Sequence, residues 1–81
     1  INMTKYLAVH LAPKIRVNCI IPGGVKHNQN LDFVKRYSKL TPMKRMMQKN
    51  ELNGMVSYLC SKDSSYVTGS CFVIDGGYLS W

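Results

Sequence analysis

The stretch Ile15-Arg16-Val17-Asn18-Cys19-Ile20-Ile21-Pro22-Gly23-Gly24 separates the fold classes open to this chain. Ile15, Val17, Cys19 and Ile21 align on one face, and Ile20 makes the other face partly apolar too. That is the pattern of a strand buried on both sides, as in a parallel sheet. Pro22-Gly23-Gly24 ends it with a turn whose bare backbone lets another group approach closely.

Upstream, Met3, Tyr6, Leu7 and Leu11 recur at helical spacing, and Pro13 closes a helix over Asn2 to Ala12 because it cannot extend the hydrogen-bond ladder. Downstream, Val25 to Asn30 are polar and irregular, and Phe33, Val34, Tyr37 and Leu40 form a short helical stripe ending before Thr41-Pro42. Asn50 reads as the N-cap of the clearest helix, whose Leu52, Met55, Val56, Leu59 and Cys60 give one face packed on a core. Cys71-Phe72-Val73-Ile74 is a second, all-apolar strand, ended by Asp75-Gly76-Gly77. Helix and strand alternate, so the class is α/β with parallel pairing. Two buried strands leave unpaired edges and too little sheet for the helices to cover, so the pattern implies further strands elsewhere.

Eighty-one residues, 46% hydrophobic and 19% charged, make one domain or part of one. A chain this short buries roughly 60–65% of its unfolded surface, which makes an independent core marginal. No apolar run reaches the roughly 18–20 residues of a membrane span, and the apolar fraction is too high for a disordered tail. Cys19, Cys60 and Cys71 are odd in number, widely spaced and set among apolar neighbours. They fit neither a disulfide framework nor a metal site and read as buried, reduced core thiols, which favours a cytoplasmic setting. The net charge of +7 is local: residues 1–50 hold ten Lys and Arg against Asp32, while residues 51–81 set Lys62 against Glu51, Asp63 and Asp75. It is densest in Lys35, Arg36, Lys39, Lys44, Arg45 and Lys49.

Three motifs in order resemble the C-terminal third of the short-chain dehydrogenase/reductase family. Thr4-Lys5-Tyr6-Leu7-Ala8, followed by Ile15 through Val25, looks like "T-x-x-LA … IRVN-x-I-x-PG-x-V". Pro42-Met43-Lys44-Arg45 continuing to Glu51-Leu52 looks like "P-L-x-R … P-E-E-I". Tyr66-Val67-Thr68-Gly69 with Val73-Ile74-Asp75-Gly76-Gly77 looks like "Y-[VI]-T-G-x-x-x-x-[VI]-D-G-G". The resemblance covers nearly the whole chain. Within the family it is nearest to carbonyl reductases of the 3-oxoacyl-carrier-protein type and to reductases of surface-glycan or flagellin-sugar pathways.

The resemblance implies the C-terminal portion of a Rossmann-type doubly wound parallel sheet, in a protein that transfers hydride between NAD or NADP and a small carbonyl or alcohol substrate. Residues 1–81 would be a fragment of a single NAD(P)-binding domain of roughly 250 residues. Pro22, Gly23, Gly24, Val25 and His27 would contact cofactor, with the Val25 backbone on the nicotinamide carboxamide. His27 stands where the family commonly has Thr. Its imidazole would bond carboxamide or phosphate, or else simply face solvent. Met47 and Lys49 replace a usual Gly and Pro.

Residues 26–49 would form a substrate lid, and its seven basic residues point to an anionic substrate such as a nucleotide-linked sugar or an acyl-phosphopantetheine thioester. The alternative is a solvated helix face. A homotetramer is implied, with Asn50–Cys60 and Cys71–Ile74 at one interface and the helix around Tyr6 at another. The family's glycine-rich phosphate turn, Asn-Ala-Gly motif, catalytic Ser and Tyr-x-x-x-Lys pair would all precede Ile1. Lys5 and Tyr6 cannot stand in for the last, since Tyr and Lys must lie one helical turn apart in that order. The 81 residues alone are therefore expected to lack catalytic residues and activity. Two readings of another class are a small basic nucleic-acid-binding module, disfavoured because no exposed aromatics interleave with the basic residues, and an inert structural piece.

Overall fold

A computed structural model describes all 81 residues. Its elements are α1 (Asn2–Leu11), β1 (Cys19–Pro22), α2 (Leu31–Leu40), α3 (Asn53–Cys60) and β2 (Cys71–Ile74), with 3-10 turns at Lys49–Leu52, Lys62–Ser64 and Tyr78–Ser80. β1 and β2 are neighbours in one sheet. Cys19 N–H donates to the Ser70 carbonyl at 2.9 Å and Gly23 N–H to the Ile74 carbonyl at 2.8 Å, a constant offset that makes the pair parallel. The chain divides into two compact units, Ile1–Ile21 with Asn53–Phe72, and Pro22–Leu52 with Val73–Trp81.

In the first unit the Ile15–Asn18 and Tyr66–Ser70 motifs form a single clamp. Arg16 donates through Nη1 to the Val67 carbonyl at 3.1 Å and through Nη2 to the Leu59 carbonyl, in the last turn of α3, at 2.9 Å. Val17 N–H donates to Thr68 Oγ1 at 3.0 Å, and the Val17 carbonyl accepts from Gly69 N–H at 2.7 Å. Asn18 donates through Nδ2 to the Val67 carbonyl at 2.9 Å and accepts from Ser70 N–H at 3.1 Å. Gly69 sits at φ +75°, a conformation that favours glycine, and a Cβ there would lie 3.5 Å from Ala8 Cβ on α1. The clamp sets β2 beside β1 before the strand ladder begins.

Several expectations change. β1 starts at Cys19 rather than Ile15, because Val17 and Asn18 have already given their hydrogen bonds to the 67–70 loop. The strands are half-buried rather than buried, with Val73 50% exposed, since two strands leave most of both sheet faces uncovered. For the same reason no cysteine is buried: Cys19 and Cys71 are half-buried, Cys60 is exposed, and all three are free thiols. On α1 the inward positions are Thr4, Leu7, Ala8 and Leu11, whereas Met3 and Tyr6 are exposed. The stripe of α3 has no buried member within this chain, and Val56 and Cys60 face solvent. Asn50 is not the cap of that helix. Glu51 Oε1 accepts from Gln48 N–H at 2.8 Å, half of a capping box that starts the helical path earlier, as a 3-10 turn.

Candidate functional site

The second unit carries the glycine turn, and its polar groups can be followed one by one. Gly23 N–H goes to the Ile74 carbonyl, Gly24 N–H to the Tyr37 hydroxyl, Lys26 N–H to the Met47 carbonyl at 2.8 Å and His27 N–H to Gln29 Oε1 at 2.7 Å. Pro22 has no N–H. Val25 forms a parallel bridge with Met47, in which Met47 N–H bonds the Gly24 carbonyl and Lys26 N–H bonds the Met47 carbonyl. Such a bridge turns the N–H and carbonyl of Val25 away from Met47. The carbonyl accepts from Gln29 Nε2 at 2.9 Å, and the Val25 N–H is the one donor of the turn without an acceptor in the chain.

The bare backbone of the turn makes room for the chain itself. A Cβ on Gly24 would fall 2.6 Å from Tyr37 Cζ, and one on Gly23 would fall 2.9 Å from Asp75 Cα. Tyr37 reaches the turn from α2, whose start Asn30 caps by accepting from Phe33 N–H at 2.8 Å. Its ring stacks on Tyr78 at 5.4 Å and on Phe33 at 6.1 Å. Asp75 holds the following turn, with Oδ1 accepting from Gly77 N–H at 2.9 Å and Oδ2 from Leu79 N–H at 3.1 Å. Gly23, Gly24, Tyr37, Met43, Ile74 and Asp75 are among the residues that line a cleft of about 140 Å³. Beside it the buried Met46 and Thr41 are the unit's small core, with Thr41 Oγ1 hydrogen-bonded to the Ser38 and Arg45 carbonyls.

Arg45 and Glu51 at the cleft edge form a bidentate pair at 2.6 and 2.8 Å. The Arg45 hydrogen bond, followed by that from Gln48 N–H, lowers the Glu51 carboxyl from 4.5 to about 2. A carboxyl depressed in the folded state stabilises fully above its unfolded value. This contribution is therefore present above pH 4.5 and is lost as the pH falls from there through about 2. A carboxyl-carbon NMR titration should place the Glu51 midpoint near 2, and a midpoint at 4.5 would mean that the pair does not persist in solution.

A second, more open recess of about 390 Å³ is lined by Lys26, His27 and Asn28 on one side and Gln48, Lys49 and Asn50 on the other. The five expected cofactor residues thus separate. Gly23 and Gly24 are packed against Asp75 and Tyr37, Pro22 is exposed at the end of β1, Val25 holds the free donor, and His27 is exposed in the open recess with Nε2 3.4 Å from Asn28 Nδ2. Lys35, Arg36 and Lys39 line neither cavity and form an exposed face of α2. Sequence reading missed Tyr37, Asp75 and the Arg45–Glu51 pair as structural parts of the site. The Asp75-Gly76-Gly77 turn was a local signal for Asp75, but nothing local marks the hydroxyl of Tyr37 as an acceptor for Gly24.

The match to known proteins runs through both units. The family model described as enoyl-(acyl carrier protein) reductase matches residues 1–79. Dehydrogenase/reductase SDR family member 4 of Sus scrofa is 42% identical over 99% of this chain and 31% of its own length, and sorbose reductase sou1 of Schizosaccharomyces pombe is 39% identical over 98% and 32%. The crystal structure of a short-chain dehydrogenase from Leptospira borgpetersenii with bound NAD+ superposes with a TM-score of 0.90 at 50% identity, over 95% of this chain and 31% of that one. The chain therefore spans about a third of the length of these relatives. With a family model matching residues 1–79 and relatives of this similarity along nearly the whole of it, the chain belongs to the short-chain dehydrogenase/reductase family.

Proposed function

We propose that the full-length protein is an NAD(P)-dependent oxidoreductase that moves hydride between the dinucleotide and a small carbonyl or alcohol substrate, and that residues 1–81 supply its nicotinamide-side turn, its lid and its assembly surfaces. The names of the relatives and the NAD+ in the Leptospira structure support this reading. The observation that carries it is the Val25 N–H. Every other N–H from Gly23 to His27 is committed within the chain, so the turn offers one donor, at the carboxyl end of β1, where open α/β sheets place their ligands. A carboxamide oxygen is a matching acceptor. Bound there, NAD(P) supplies the hydride-carrying ring. The chain's part is to fix the turn through the Gly24–Tyr37 bond and the Val25–Met47 bridge, so that the donor is held in place before any ligand arrives.

Residues 26–49 act as the lid in this proposal, and the exposed Met3, Tyr6 and Val56 lie on surfaces that a homotetramer covers. The acid/base chemistry is assigned to no residue of this chain, and the 81 residues alone are proposed to be inactive. The exposed α2 lysines supply long-range attraction for an anionic substrate rather than contacts.

Replacing the Val25 amide by an ester in full-length protein, through semisynthesis, removes that N–H and keeps the side chain. NAD(P)+ affinity should fall about tenfold, the worth of one hydrogen bond in a shielded site. The unfolding midpoint should fall only slightly, because the N–H has no partner within the chain and the one intrachain bond affected is that of Met47 N–H to the Gly24 carbonyl, which becomes a weaker ester acceptor. Unchanged dinucleotide affinity would remove the basis of the reading.

A further inference from the structure

We propose that the recess between Lys26–Asn28 and Gln48–Asn50 is a phosphoryl-binding site separate from the dinucleotide. Its two walls are fastened at their base, where Lys26 N–H bonds the Met47 carbonyl at 2.8 Å and Met47 N–H bonds the Gly24 carbonyl at 2.9 Å. The parallel bridge makes the two segments leave that base in the same direction. Each of the six lining side chains carries a nitrogen able to donate, two of them ammonium groups, and no carboxylate lines the recess. Lys26, Gln48, Lys49 and Asn50 make no side-chain hydrogen bond, and neither lysine is in an ion pair. The nearby carboxylate, Glu51, lines the other cleft and is taken up by Arg45 and Gln48 N–H.

The donor set selects the anion. A carboxylate is best met by the planar fork of an arginine, and the recess has none. Two mobile point charges with amides on two facing walls suit a tetrahedral dianion, whose oxygens diverge toward both sides. The direction of the Val25 N–H separates this site from the proposed cofactor contact. It points away from Met47, whereas the recess continues from Lys26 on the Met47 side, so a ring held by Val25 and an anion held by Lys26 and Lys49 occupy opposite sides of the strand.

The test is calorimetric titration of full-length protein with inorganic phosphate, with and without saturating NAD+. The expected result is saturable phosphate binding of equal affinity in both, weakened at least about tenfold in Lys26→Gln/Lys49→Gln, with NAD+ affinity unchanged in that variant. Thermal unfolding and the intact NAD+ affinity show that the variant is folded. No saturable binding, or equal binding by the variant, overturns the proposal. Displacement of phosphate by NAD+ also overturns it, by assigning the recess to the cofactor's own diphosphate. Failure of NAD+ to bind at all would count against the oxidoreductase reading and leave the phosphate result standing.

Discussion

Asn18→Asp is expected to destabilise the full-length protein at neutral pH by about 2–4 kcal/mol, one of the two largest single effects this chain offers. The change is isosteric and keeps the acceptor for Ser70 N–H, but it removes the Nδ2 donor and sets a carboxylate oxygen against the Val67 carbonyl, now 2.9 Å from Nδ2. The loss comprises a long-range hydrogen bond, an electrostatic repulsion and the desolvation of a half-buried charge, offset in part by attraction to the Arg16 guanidinium that bonds the same Val67 oxygen. Arg16 supplies the internal control, because its Nη1 also bonds the Val67 carbonyl. Arg16→Met alone leaves that oxygen satisfied by Asn18, and Asn18→Asp alone leaves it satisfied by Arg16. The double variant strands it, so its cost in denaturant unfolding should exceed the sum of the single costs. An Asn18→Asp variant within about 0.5 kcal/mol of the parent, the range of an ordinary surface change, would show that the clamp is not what joins β2 to β1.

The parts of this architecture that could be read from the sequence are those that depend on local pattern. β2 falls at Cys71–Ile74 as its apolar run and flanking glycines imply, and α1 ends where Pro13 demands. What escaped is set by partners distant in sequence. The apolar alternation from Ile15 is real, yet Val17 and Asn18 belong to the clamp because Thr68 and Ser70 lie opposite them, and no periodicity carries that information. Burial went wrong for the same kind of reason. The stripes at Met3, Tyr6 and Val56 meet too little apolar surface within 81 residues to be covered, so pattern alone overstated the core.

The glycine turn shows the converse case. Its bare backbone is legible as a place of close approach, and the groups that approach Gly23 and Gly24 are Asp75 and Tyr37 of the chain itself, while the free backbone donor at Val25 is displayed by no side-chain pattern and was reached only through the family resemblance. Arg45 and Glu51 stand six positions apart, outside the spacing at which helical charges pair, and the non-helical path between them, closed by the Gln48 N–H bond to Glu51, brings them together.

Gly77→Ala carries the other large expected effect, again about 2–4 kcal/mol, from two separable sources. Gly77 lies at φ +89°, which costs a residue with a Cβ about 1–2 kcal/mol. The same Cβ would sit 2.7 Å from Pro42 Cγ and 3.0 Å from Pro42 Cβ, an overlap with a rigid ring that adds about 1–3 kcal/mol. Pro42→Ala takes away the ring and leaves the backbone conformation unchanged. The double variant keeps the Cβ of position 42, 3.0 Å from the added one, so the steric part should shrink to that one close contact while the dihedral part remains, and the two substitutions together should cost less than their sum. The contact matters to the site because Met43 N–H, next to Pro42, bonds the Gly76 carbonyl at 3.1 Å, while Gly77 N–H is held by Asp75. If Gly77 shifts to relieve the overlap, both bonds loosen together, and hydrogen exchange at Met43 should accelerate in Gly77→Ala and recover in the double variant. Exchange at Met43 that ignores both substitutions would mean that the end of the 26–49 segment is not anchored through the Asp75–Gly77 turn, and the stability loss would then be purely a matter of φ.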